Sequence, residues 1–133
     1  MIFSIPALFF MYSCTTSGLE TPCTLEQRVL NMTILTPDGE PADSVEIVVS
    51  NKETGESYQT CKKLYGDDCY KDGADGTYAI FADGVEEGLD KGEKIFTEVV
   101  GKKEDLSFNQ DYTVGYDGCH VYKAAGPDTV SLK

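Results

Sequence analysis

Five cysteines and one histidine are the residues of this chain best equipped for chemistry. Sulfur can bridge to sulfur, bind a metal as thiolate, attack a carbonyl, or carry a lipid. Structural zinc wants Cys-x-x-Cys or close Cys/His pairs, and no such spacing occurs. Cys119 and His120 are adjacent, and neighbours on a strand point to opposite faces. A Ser/His/Asp or Cys/His mechanism would have to recruit His120, and a base beside a bridged cysteine is thin support for one. No motif singles out a glycosidase pair among the 23 acidic residues. The reading is therefore no catalytic residues, no bound metal and no cofactor.

The acids cluster at Asp67, Asp68, Asp72 and Asp75, which raises the question of calcium. An EF-hand loop needs oxygen ligands at alternate positions and a Glu at the twelfth. Counting from Asp67 puts Cys69 third, Lys71 fifth and Tyr78 twelfth, so the pattern fails. A secreted domain with an irregular ligand or calcium site is the alternative reading, and a small hydrolase the third. Tyrosines near Asp/Gly loops are a common binding-surface composition. Asp67, Asp68, Tyr70, Asp72, Asp75 and Tyr78 are accordingly the candidate binding-loop residues, with a second acidic loop at 83–93.

Charge limits the partners. A net charge of −12 without a basic patch argues against nucleic acid, whose phosphates need clustered Lys and Arg. It also disfavours attraction to anionic headgroups. A 41% apolar content with eight tyrosines and six phenylalanines is that of a folded domain, and 133 residues leave room for one.

The first twelve residues carry no charge and are mostly apolar. That run is shorter than the roughly 20 residues a membrane span needs and fits the apolar core of a secretory signal. It ends in Met11-Tyr12-Ser13-Cys14, followed by Thr15, Thr16, Ser17 and Gly18. The small residue before a cysteine and the polar tether after it resemble a bacterial lipobox. That resemblance implies cleavage before Cys14, a lipid on Cys14, and residence in the cell envelope, periplasm-facing or at the surface. No Lys or Arg precedes the apolar run, and Tyr12 is bulky where a small residue is usual. The expected organisation is a signal at 1–13, a tether at 14–24 and a domain at 25–133, with plain secretion as the alternative.

The elements that must position these residues read almost wholly as strands. Val29 to Thr36 alternates, with Leu30, Met32 and Ile34 on one face. Thr36-Pro37-Asp38-Gly39-Glu40-Pro41 is a turn, because proline fixes φ and Asp-Gly supplies the positive φ that follows. Val45 to Asn51 places Val45, Ile47 and Val49 on one face. Strands are also predicted at Ser57 to Leu64, Thr77 to Ala82, Lys94 to Val100, Asp111 to Tyr116, Cys119 to Tyr122 and Thr129 to Leu132. Gly66 to Gly76 is too rich in Gly and Asp for regular structure. About seven short strands joined by Gly, Pro and Asp turns predict an all-β, Ig-like sandwich. Connections this short leave no room for crossover helices, so antiparallel sheets are expected.

Two stretches resemble the carboxypeptidase regulatory-like, or transthyretin-like, family of seven-stranded sandwiches. One is Leu35-Thr36-Pro37-Asp38-Gly39-Glu40-Pro41 with the Val-rich run up to Val49. The other is Asp75-Gly76-Thr77-Tyr78-Ala79-Ile80, in which a small residue turns the chain before an inward aromatic. Gly118-Cys119-His120-Val121 and the closing Thr129-Val130-Ser131-Leu132 are also similar to bacterial members. The resemblance implies a fold over residues 25–133 and leaves the task open, since such modules act as spacers, stability domains or binding modules.

With Cys14 set aside, Cys23, Cys61, Cys69 and Cys119 allow three pairings. Cys61 and Cys69 are close enough for a local bridge. Cys23 precedes the first strand and Cys119 lies near the last, which in a sandwich are often neighbours. The favoured pairs are Cys23–Cys119 and Cys61–Cys69. The resulting reading is a disulfide-braced, lipid-anchored, non-catalytic envelope module whose partner is another envelope protein or a glycan.

Overall fold

The structure is a computed structural model that describes residues 23–133. Eight strands and one short helix follow each other along the described chain. They are β1 (Val29–Leu35), β2 (Glu46–Asn51), β3 (Ser57–Tyr58), α1 (Thr60–Tyr65), β4 (Thr77–Ala82), β5 (Lys94–Lys103), β6 (Leu106–Tyr116), β7 (Val121–Ala125) and β8 (Thr129–Ser131). A 3-10 segment, Gly66–Lys71, continues directly from α1. The strands form a three-stranded sheet ordered β4-β1-β8 and a five-stranded sheet ordered β3-β2-β5-β6-β7.

Alternation explains which faces meet. In β1, Met32 and Ile34 are fully buried, and in β2 Val49 is buried while Val48 is exposed. Ile95, Thr97 and Val99 of β5 and Tyr112 and Val114 of β6 turn inward at the same period of two. Residues of both sheets belong to one apolar cluster, with Met32, Ile34, Ile80 and Phe81 from the smaller sheet and Val49, Val99, Val114 and Val121 from the larger. Burying a side chain of this size stabilises by about 1.5–3 kcal/mol, so this shared interior holds the sheets together. Thr97 is buried beside it, and its hydroxyl donates to the Tyr112 carbonyl at 3.1 Å.

β4 departs from alternation, since Tyr78 through Ala82 are all buried. The reason is α1, which packs against β4, with the Thr60 hydroxyl donating to the Ile80 carbonyl at 2.9 Å. The preceding Gly76 has φ +83°, and a Cβ there would come within 2.8 Å of Pro41. Glycine is thus required where the chain enters β4.

Four expectations are corrected. The predicted strand Ser57 to Leu64 is two strand residues followed by α1, so Cys61 lies on a helix. Helix formation there is imposed by docking on β4, because six residues are too few to be helical alone. The segment thought too irregular for structure contains the 3-10 turn Gly66–Lys71. The sheets are not wholly antiparallel, because β8 pairs with β1 in parallel, Thr33 opposite Thr129 and Leu35 opposite Ser131. The strands number eight rather than about seven, and β3 is reduced to the two residues that pair with Val49 and Ser50.

Candidate functional site

β4 divides the loops into two ends. The chain enters it at Thr77, opposite Thr33, and leaves it at Ala82, opposite Val29. Residues 72–76 and 83–93 therefore lie at opposite ends of a six-residue strand, about 17–20 Å apart. The two loops do not adjoin at β4, and α1 lies between them, its Lys63 ammonium donating to the Val85 carbonyl at 2.8 Å.

At the 83 end the N-terminal strap, residues 23–28, is fastened to the loop joining β6 to β7. Cys23 is bonded to Cys119, with a Cα separation of 5.1 Å across 96 residues. One residue further on, the Thr24 hydroxyl lies within hydrogen-bond distance of Nε2 of His120, at 2.7 Å. Nδ1 of the same ring donates to Oδ2 of Asp83 at 2.6 Å. Asp83 is held in turn by the backbone N–H groups of Arg28 on Oδ2 and Val121 on Oδ1, each at 2.8 Å. Its own backbone closes the strap, its N–H donating to the Arg28 carbonyl and its carbonyl accepting from the Gln27 amide.

The electrostatics follow from these donors. Burial pushes the Asp83 carboxyl up, but the N–H groups of Arg28 and Val121 and the His120 ring outweigh it, leaving its pKa below the usual value. An ionised carboxylate accepts only, so Nδ1 must carry the proton it shares, and in the neutral ring Nε2 is left as acceptor for Thr24. His120 is buried, while Thr24 is exposed. The loop around them is shaped by Asp117, whose Oδ1 accepts from the N–H groups of Cys119 and His120 at 2.8 and 2.7 Å. Those two bonds hold the Asp117 carboxyl below its ordinary value. A cleft of about 700 Å³ opens here, lined by Thr24, Arg28, Lys91, Tyr116, Asp117 and His120 among others.

The other end carries the sequence-predicted loop. Cys61 and Cys69 are bridged with a Cα separation of 5.3 Å, closing α1 onto the 3-10 segment. Asp67 and Asp68 stand in the first turn of that segment, and Tyr70 lies in the same segment. Asp72 is half-buried, and its Oδ2 accepts from the Ala79 N–H at 3.3 Å. Burial pushes its carboxyl up, against the N–H groups of Ala79 and Gly73. Asp75 is exposed and accepts from the Thr77 N–H at 3.1 Å. A shallow groove of about 640 Å³ runs here, lined by Tyr65, Asp68, Lys71, Asp72, Asp75 and Thr77 among others.

Tyr78 is a correction. It is a strand residue only 3% exposed, whose hydroxyl donates to the Ala42 carbonyl at 2.8 Å and accepts from the Val45 N–H at 3.1 Å. It braces the β1–β2 connection from inside and cannot contact a partner. Cys23 and Thr24, the last residues of the expected tether, are fastened to Cys119 and His120. Cys14 lies outside the described residues. Among the described residues no group of three or more His, Cys, Asp or Glu is placed to hold a metal ion, and no helix is long and apolar enough to cross a membrane.

Sequence reasoning favoured both cysteine pairs, weighed His120 and set it aside, and missed Thr24 and Asp83. A usable signal existed for Thr24, since it follows Cys23 as His120 follows Cys119, and a bridge brings successors near each other. No signal marked Asp83 apart from its place after β4. The chain matches no family model, no curated protein and no solved structure.

Proposed function

We propose that the chain is an exported bacterial lipoprotein, anchored through a lipid on Cys14, whose domain acts by binding another envelope protein or a glycan. On this reading the two sheets are a sandwich of the carboxypeptidase regulatory-like, transthyretin-like type. The carrying observation is the fate of the cysteines. Four are bridged in pairs, as suits an oxidising compartment, and the fifth follows a small residue at the end of an apolar run.

The strap gives the reading an orientation. Cys23 lies nine positions after Cys14, a reach of at most about 30 Å. The Cys23–Cys119 bridge would then hold the 83–93 loop toward the membrane and residues 72–76 away from it. The groove at Tyr65, Asp68 and Asp75 becomes the partner-facing surface, with Tyr65 44% exposed.

Intact-mass analysis of the protein extracted from its native membrane tests the anchor. A diacyl or triacyl adduct on Cys14, lost together with membrane sedimentation in Cys14→Ser, is the expected result. An unmodified chain beginning elsewhere sinks the anchor and favours the secreted alternative.

A further inference from the structure

The anchored end holds an arrangement that binding does not need. We propose that Thr24 is an activated hydroxyl nucleophile, with His120 its general base and Asp83 the positioning residue, able to take an acyl group from a small ester. The Thr24 Oγ–H···Nε2 distance of 2.7 Å and the Nδ1–H···Oδ2 distance of 2.6 Å are those a nucleophile, base and orienter require. The order hydroxyl, imidazole, carboxylate is the one that transfers acyl groups on unrelated folds.

The surroundings favour chemistry over a plain structural contact. Asp83 has both oxygens held by backbone N–H groups, which keeps it an acceptor and fixes the ring tautomer. His120 is buried, so its basic nitrogen meets Thr24 rather than water. Thr24 itself is exposed and lines the 700 Å³ cleft, where a carbonyl can reach it. Arg28 and Lys91 line the same cleft, and cations there would meet the negative charge that develops on a carbonyl oxygen.

The step balances without any further reagent. Thr24 Oγ bonds to the ester carbonyl carbon as its proton passes to Nε2 of His120. The tetrahedral intermediate then expels the alkoxide, which takes that proton and leaves as alcohol. Water, deprotonated by the same nitrogen, hydrolyses the Thr24 ester and restores the hydroxyl.

The probe is p-nitrophenyl acetate, with the purified oxidised protein analysed by peptide mass spectrometry and by release of nitrophenolate. An acetyl group on Thr24 is expected, absent in Thr24→Val and retained in Thr24→Ser. His120→Gln should slow acylation on the order of 100-fold or more. Asp83→Asn should slow it while leaving KM for the ester unchanged, which a purely structural role would not do. Because His120→Gln can disturb the strap, Thr24→Val, at an exposed position, is the deciding variant, its fold checked by circular dichroism. Acetylation confined to lysines and tyrosines, or equal in Thr24→Val, overturns the proposal and leaves the three side chains as a clasp. Lipid on Cys14 is a separate readout, so either idea can fail alone.

Discussion

The two bridged ends of this molecule use the same bond for different purposes. Cys23–Cys119 spans 96 residues and joins the start of the domain to its last hairpin, whereas Cys61–Cys69 spans eight and staples α1 to the 3-10 segment that follows it. In the chain-entropy model the long bridge removes about 4–5 kcal/mol of unfolded-state freedom and the short one about 2–3. The aspartates beside them differ likewise. Asp83 is held below its ordinary pKa by the donors aimed at it, while burial pushes Asp72 above its own. One end is organised around a charge it wants, and the other tolerates a charge it would rather lose.

The largest expected effect is removal of the long bridge. Cys23→Ser with Cys119→Ser should cost about 4–5 kcal/mol in denaturant unfolding, and hydrogen exchange at the Arg28 amide should rise as the strap lifts. Cys61→Ser with Cys69→Ser should cost about 2–3 kcal/mol, with protection lost around Thr60–Lys71 and retained in β5 and β6. An equal or larger loss from the short bridge would break the comparison.

Next is Asp83→Asn, which weakens charge-assisted bonds to Arg28, Val121 and His120 and should cost about 2 kcal/mol at neutral pH. The sign with pH is definite. A carboxyl whose folded pKa is depressed contributes above its unfolded value and loses that contribution as pH falls through the folded one. Wild-type stability should therefore decline on acidification below about pH 4 more steeply than that of Asp83→Asn.

At the alkaline side, Tyr58 and Tyr112 are both pushed up to about 12, in each case chiefly by burial. Tyr58 is also linked to the Glu86 carboxylate, its hydroxyl donating at 2.5 Å. Their contribution is complete below the unfolded value near 10 and is lost as pH rises toward 12. Tyr112→Phe should flatten part of that loss, at a neutral-pH cost of about 1 kcal/mol for its bond to the Pro127 carbonyl.

The smallest effect sharpens the contrast. Asp72→Asn keeps an acceptor for the Ala79 N–H and removes a charge that burial disfavours, so stability at pH 7 should rise by less than about 1 kcal/mol. A fall as large as that of Asp83→Asn would mean the two ends are not different in kind.

The strands were legible because alternation survives in the sequence wherever one face meets the core. Met32 and Ile34, Val45 and Val49, and Ile95, Thr97 and Val99 keep a period of two. The Ser57 to Leu64 segment was misread for the complementary reason. Its Cys-Lys-Lys-Leu-Tyr run has no strong preference of its own, and docking on β4 makes it helical. Tyr78 is placed on a strand by its pattern yet grouped with the binding loop because it lies close after Asp75-Gly76, and the structure keeps only the strand assignment, with the ring inward. The parallel pairing of β8 with β1 joins strands far apart in the chain, and local pattern holds no record of it.

By itself the sequence determined the strand-rich fold and the acidic character, and it favoured the two cysteine pairs among three possible ones. Each of these depends on residue type and spacing along the chain. The tertiary structure alone decided that Thr24, His120 and Asp83 meet, that residues 72–76 and 83–93 flank opposite ends of β4, and that Tyr78 braces the β1–β2 connection rather than a binding surface. Those facts are distances between residues up to 96 positions apart, and closing such gaps is the work of sheet packing and a long-range bridge.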